Sequence, residues 1–231
     1  MENVPAFVSV VFMVTTFVAV CIFLFAVRSV REGPWSRLLL FLIPFWLLFL
    51  FVAASSGFFI NTDALPPRLF FFGIFPPLSL IAILFLFARQ TLISQLSLTL
   101  LTLVHVVRIP VEFVLAWLAE AGAIPALMTY HGTNFDILSG LTAPIALAAV
   151  VSKSEKMRFP LIGWNLAALA LLFNIVITAA LCLPSPIQRL ALDQPNLAVL
   201  YFPYVWLPGV IVPIVFFSHL AVLYNLLCRQ K

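Results

Sequence analysis

The chain has 231 residues, of which 64% are hydrophobic and only 9% are charged, and its formal net charge is +4. Soluble domains carry about 25% charged residues, so this composition cannot supply a water-facing surface and excludes a soluble globular protein. The positive charge does not indicate nucleic-acid binding, because most basic residues lie in short loops between apolar runs. We therefore predict an integral membrane protein whose surroundings are the lipid bilayer.

Seven apolar runs follow one another along the chain, each long enough to cross roughly 30 Å of hydrocarbon as a helix. We place them at about 5–27, 38–60, 69–88, 91–118, 135–152, 160–183 and 204–228. The runs are apolar on all sides, whereas the strands of a membrane barrel alternate apolar and polar residues. The predicted fold is therefore all-α: residues 1–231 form one transmembrane domain, a polytopic bundle of about seven helices.

Basic residues favour one side of this predicted bundle. Nine of the 12 Lys and Arg residues follow odd-numbered spans: Arg28, Arg31, Arg37, Arg89, Lys153, Lys156, Arg158, Arg229 and Lys231. The other side carries Arg68 and Arg189, beside acidic residues that include Glu2 and Asp63. Because basic loops remain in the cytoplasm, we predict an N-terminus outside and a cytoplasmic C-terminus.

The three cysteines lie in or at the ends of separate apolar runs. Cys21, Cys182 and Cys228 lack the spacing of a zinc site, and an odd number cannot pair off completely. We expect free, buried thiols.

The fourth span differs from the others because it carries three ionisable residues. His105, Arg108 and Glu112 lie three or four positions apart and therefore share one helical face. Ionisable groups at membrane depth cost several kcal/mol unless they are paired or hydrated, so this face should look into the bundle. We predict a mutual ion pair between Arg108 and Glu112, either as part of a ligand or proton pathway or as a purely structural pair.

A second set of polar residues is expected at the same depth. Arg108 and Glu112 lie roughly 25 and 30 Å along the helix from residue 91, in its outer half. The loops at that level carry His131, Asn134, Asp136, Asp193, Gln194, Asn196 and Tyr204. If these segments converge, they form the mouth of an outward-facing polar pocket with Arg108 at its floor. Asn134 and Asp136 could instead serve only the N-terminus of the fifth span.

No familiar cofactor chemistry fits the sequence. Retinal is excluded because no lysine lies within a span. Haem is disfavoured because the depths predicted for His105 and His219 differ by about 7 Å, and His219 is expected to be a hydrogen-bonded interior histidine. Neither H-E-x-x-H nor G-x-S-x-G occurs, so no metal site and no catalytic residue are predicted.

Two stretches resemble a family of small bacterial multi-span membrane proteins without an assigned activity. The first includes His105-Val-Val-Arg108-Ile-Pro110-Val-Glu112 and Asn134-Phe135-Asp136, and the second includes Asp193-Gln194-Pro195-Asn196. The resemblance covers most of the chain from the fourth span onward. It implies a multi-pass protein of the bacterial cytoplasmic (inner) membrane and implies no substrate.

Three functions remain open from the sequence. The first is binding of a small polar ligand, or proton-coupled transport, through the outward-facing pocket. The second is a structural or assembly role beside a partner in a larger membrane complex. The third, an enzyme acting on lipid or quinone, has no motif to support it.

Overall fold

A computed structural model describes Met1 and residues 3–30, 33–62 and 64–228. These residues form seven helices and no strands. The helices are α1 Ala6–Arg28, α2 Pro34–Ser55, α3 Phe70–Phe87, α4 Leu98–Glu120, α5 Ile137–Val151, α6 Arg158–Leu181 and α7 Leu207–Cys228. The predicted all-α bundle is confirmed. Five charged residues used in the topology argument, Glu2, Arg31, Asp63, Arg229 and Lys231, lie outside the described residues.

Six of these helical segments are long and apolar enough to cross a membrane. The protein is therefore a multi-pass membrane protein. The helix in the predicted fifth span is shorter than expected, since α5 has 15 residues. The fourth begins later than expected, at Leu98, because Ser97 caps it by accepting a hydrogen bond from the backbone N–H of Leu100.

Proline interrupts the regular helical geometry in α3 and α4. In α4 a 3-10 turn, Val104–Val107, immediately precedes Arg108, and Pro110 offers no N–H to the carbonyl of Val106. In α3 a π-helical turn, Phe70–Ile74, precedes Pro76 and Pro77. Such irregular turns are frequent at functional sites.

A similar π-helical turn opens α7 and is held by a tryptophan. The turn spans Leu207–Ile211, and Pro213 cannot donate to the carbonyl of Gly209. The indole Nε1 of Trp46 donates to that carbonyl instead, at 2.9 Å. A Cβ at Gly209 would lie 2.6 Å from Leu50, so glycine allows α2 to approach α7 closely.

The centre of the bundle consists of α1, α4 and α7, which pack against one another. Helix α5 packs on α4 and α6, whereas α3 lies at the edge and packs mainly on α7. Helices α3, α4, α6 and α7 surround a cavity. Of the cysteines, all three are free as predicted, but only Cys182 is buried, and Cys21 and Cys228 are exposed.

Candidate functional site

The polar centre of the protein is an ion pair between Arg108 and Asp136. Both are buried, with 2% and 6% of their surface exposed. Arg108 Nε donates to Asp136 Oδ2 at 2.7 Å, and Nη2 donates to Oδ1, which makes the contact bidentate. The predicted ion pair between Arg108 and Glu112 is therefore wrong. The loop before α5 brings a second carboxylate closer to the guanidinium than the one on the same helix.

Gly140 permits this contact between α4 and α5. A Cβ at this position would lie 2.8 Å from Ile109 Cγ1, 3.0 Å from the Ile109 backbone nitrogen and 3.3 Å from Arg108 Cβ. The absence of a side chain allows the first turn of α5 to rest on the backbone of α4. Asp136, one turn before Gly140, is thereby placed against the guanidinium.

The remaining contacts of Arg108 leave it little capacity for a ligand. Nη1 donates to His219 Nε2 at 3.1 Å, and Nη2 donates to the carbonyl of Ala168 at 3.2 Å. With the two bonds to Asp136, four of the five guanidinium N–H groups are engaged within the protein. An anionic ligand would therefore meet an arginine that is already neutralised.

His219 is neutral and its tautomer follows from its neighbours. Arg108 can only donate, so Nε2 must accept and carries no proton. Nδ1 lies 2.8 Å from Asn165 Oδ1, an acceptor, and therefore carries the proton. Asn165 is oriented by donating its Nδ2 to the carbonyl of Leu161 at 2.8 Å. The expected hydrogen-bonded interior histidine is confirmed.

His105 stacks on His219, with ring centroids 3.8 Å apart and an angle of 21° between the planes. The predicted difference in depth of about 7 Å is therefore wrong, because α4 begins seven residues later than predicted and contains a 3-10 turn. Trp164 meets the ring of His105 edge-on at 5.4 Å. Neither ring nitrogen of His105 has a hydrogen-bond partner among the described residues, which also hold no cluster of three metal-ligating side chains.

The carboxylate of Glu112 is hydrogen-bonded by the side-chain amide of Asn134. Asn134 Nδ2 lies 2.7 and 2.8 Å from the two carboxylate oxygens of Glu112 and also donates to the carbonyl of Met128 at 3.0 Å. Asn134 Oδ1 accepts from the backbone N–H of Asp136 at 3.0 Å, which ties Glu112 to the ion pair. Since Arg108 and Asp136 cancel, an ionised Glu112 leaves one excess negative charge in this cluster.

The polar cluster forms part of the wall of a cavity of about 340 Å³ between α3, α4, α6 and α7. Of the 23 lining residues, 19 are apolar, and the polar ones are Arg108, Glu112, Asp136 and Asn196. Leu78 on α3 lines the cavity and is 39% exposed, and Val176 on α6 is half-buried. The cavity therefore opens on the outer surface of the bundle between these two helices.

Of the seven residues predicted for the pocket mouth, three lie at or beside the cavity and four do not. Asn134, Asp136 and Asn196 are buried at or beside the cavity. Tyr204 is directed elsewhere, with its hydroxyl 2.9 Å from that of Ser9 on α1. Gln194 fastens its loop to the end of α4 by donating to the carbonyl of Ile124 at 2.6 Å. Two of the predicted residues are exposed: His131 and Asp193.

Sequence reasoning missed the contribution of α6. Asn165 and Trp164, one turn before the carbonyl of Ala168, complete the surroundings of the two histidines. The signal in the sequence was a polar residue, Asn165, within an apolar run. The partner could not be identified from spacing, because 54 residues separate Asn165 from His219.

Comparison with known proteins gives a family without a function. A family model described as a domain of unknown function (DUF8737) matches residues 66–227. This range begins before α3, further toward the N-terminus than the resemblance from the fourth span suggested. Searches of curated proteins and of solved structures gave no match. Because the family model matches more than half of the chain and includes all polar residues of the cluster, the chain belongs to the DUF8737 family.

Proposed function

We propose that this protein binds an amphipathic, lipid-like molecule within the membrane. The apolar part of the ligand would occupy the cavity between α3, α4, α6 and α7, and its polar head would lie at Glu112, Asn196 and the Arg108–Asp136 pair. The observation that supports this proposal is the composition of the cavity wall, which is apolar except for these four polar residues. Binding sites for small molecules commonly combine an apolar lining with few polar groups.

The size and position of the cavity favour an amphipathic ligand over the small polar ligand expected from the sequence. An engineered cavity of about 150 Å³ binds benzene and stays dry, and this cavity is about 340 Å³. A small polar molecule would leave most of the apolar wall uncovered. The gap between α3 and α6 would let a molecule dissolved in the bilayer move in sideways.

The proposal includes a location and an orientation. We place the protein in the cytoplasmic membrane of a bacterium, with the N-terminus outside and the C-terminus in the cytoplasm. The support comes from the excess of basic residues after odd-numbered spans, for example Arg28, Arg89 and Lys153. Counted from Leu98, Arg108 lies about 15 Å along α4, so under this orientation the cluster lies near the middle of the bilayer.

Substitution of a cavity-lining residue tests the proposal. Val176→Trp fills the cavity, and Ile177→Trp, the next residue, projects a side chain of equal size from a position that is 56% exposed. We expect native mass spectrometry of gently extracted wild-type protein to detect a discrete adduct with the mass of an amphiphile. The adduct should persist in Ile177→Trp and disappear in Val176→Trp. An adduct that both variants retain equally would overturn the proposed site.

Proton-coupled transport is a second candidate, favoured by Glu112 alone. Its carboxylate is 1% exposed, and its hydrogen bonds come from an amide rather than from a cation. Such a carboxylate can take up and release a proton as its surroundings change. Proton uptake by proteoliposomes that stops in Glu112→Gln would favour transport. A stoichiometric second chain in native mass spectra would instead favour the assembly role.

A further inference from the structure

Two residues that line the cavity carry acceptor groups whose hydrogen-bonding capacity is not filled. Asn196 lines the cavity and is 1% exposed, and its Oδ1 accepts no hydrogen bond from the described residues. Its Nδ2 is fixed by donating to the carbonyl of Ala179 at 3.3 Å, so the amide cannot simply exchange its two ends. Glu112 receives hydrogen bonds only from Asn134 among the described residues. A carboxylate can accept about four.

Donors are scarce where these acceptors lie. The Arg108 guanidinium has one N–H left after its bonds to Asp136, His219 and Ala168. Asn134 uses its Nδ2 on Glu112 and on the carbonyl of Met128. The protein therefore offers the ligand mainly oxygen acceptors. A buried acceptor without a donor is unfavourable, so the matching ligand must bring N–H or O–H groups.

The charge of the polar cluster decides whether an ammonium N–H or a neutral O–H group is the better donor. Arg108 and Asp136 form a neutral pair, and His219 is neutral because its Nε2 accepts from Arg108. An ionised Glu112 is then the uncompensated charge of the cluster. A buried unpaired charge is strongly unfavourable, so Glu112 binds a proton when no cation lies beside it, and a cation stabilises the ionised form. A neutral hydroxyl head would satisfy the acceptors but would not stabilise the ionised carboxylate.

We propose that the ligand is a single-chain amphiphile with a primary ammonium head, which donates to the Glu112 carboxylate and to Asn196 Oδ1. An ammonium carries three N–H donors and no acceptor, which suits a site made of acceptors. This inference rests on the proposed function, because the apolar cavity must hold the chain of the same molecule. It assigns Glu112 to ligand recognition and leaves Arg108 as the group that positions Asp136 and His219.

Amphiphiles that differ only in the head provide the test. Decylamine, decanol and decanoate share one chain and can be titrated against the full-length protein in nanodiscs, with bound ligand measured by native mass spectrometry. We expect the amine to bind about ten-fold or more tightly than the alcohol, since a hydrogen bond to a charged group is stronger than one between neutral groups. Decanoate should bind most weakly.

The variants Glu112→Gln and Glu120→Gln separate recognition from general charge effects. Both remove one carboxylate from α4, but Glu120 is exposed at the end of the helix. The preference for the amine should disappear in Glu112→Gln and remain in Glu120→Gln. Equal binding of all three amphiphiles to the wild type, or stronger binding of decanoate, would overturn the ammonium head and leave the cavity as a lipid site. Failure of the wild type to bind any of them would overturn the proposed function as well.

Discussion

At the scale of single residues, Arg108 can be buried because four of its five guanidinium N–H groups are hydrogen-bonded within the protein. Its guanidinium meets one carboxylate, one imidazole and one backbone carbonyl, so nearly every N–H has an acceptor. Because hydrocarbon cannot replace these partners, the loss of one leaves the others unpaired. His219 depends on the same arginine for its tautomer.

Removal of the arginine should therefore destabilise the protein strongly. In Arg108→Ala, Asp136 remains buried and loses its partner. We expect a loss of about 3–5 kcal/mol, seen as a lower midpoint of thermal unfolding in detergent. The exposed Arg189, whose side chain donates to the nearby backbone carbonyls of Pro186 and Gln188, supplies the control Arg189→Ala, which should change stability little.

The double variant Arg108→Ala/Asp136→Ala distinguishes pairing from simple loss of volume. If the pair accounts for the cost, the double variant should be less destabilised than the sum of the single variants. Additive effects would show that the two side chains contribute independently and would contradict the assignment.

At the scale of helices, close approach depends on small residues and on prolines. Gly140 lets α5 touch α4 at Ile109, and Gly209 lets α7 approach α2. The prolines of α3, α4 and α7 free carbonyls that other groups must satisfy, as Trp46 does for Gly209. The π-helical turns of α3 and α7 both contribute lining residues to the cavity.

A methyl group at Gly140 should disturb the site through the backbone. In Gly140→Ala the new carbon would lie 3.0 Å from the backbone nitrogen of Ile109, and overpacking of this kind costs about 1–3 kcal/mol. Gly163 on α6 has no atom within 4 Å of an added Cβ. Gly163→Ala should stabilise by about 0.5–1 kcal/mol through helix propensity alone. Thermal unfolding of both variants checks this, and equal effects would contradict the close approach of α5 to α4.

At the scale of the whole molecule, the helices could be predicted from the sequence, but the contacts between their polar side chains could not. In lipid, the backbone N–H and C=O groups of each apolar run must hydrogen-bond within that run, so the seven apolar runs predict seven helices. The partner of Arg108 depended instead on the loop that ends at Asp136. The stacking of His105 on His219 depended on irregular turns, which displace side chains by amounts that an ideal rise per residue does not include. The exposure of His131 likewise depended on the path of a loop.

The orientation of the bundle can be measured directly. Single cysteines placed at Asn61, between α2 and α3, and at Ser154, between α5 and α6, can be introduced into a cysteine-free variant. In intact cells we expect a membrane-impermeant maleimide to label the cysteine at position 61 and not the one at position 154, which should react only after lysis. Labelling of both positions in intact cells would mean that an even number of the three helices α3, α4 and α5 crosses the bilayer, and would overturn the seven-span topology.

Helix α5 is shorter than the hydrocarbon core of a bilayer is thick. Fifteen residues extend about 22 Å, roughly 8 Å less than the hydrocarbon thickness. Lipids beside α5 must therefore compress, or the preceding loop must occupy the remaining depth. Asp136 lies at the start of α5, so compression of the lipid there would bring water closer to the Arg108–Asp136 pair.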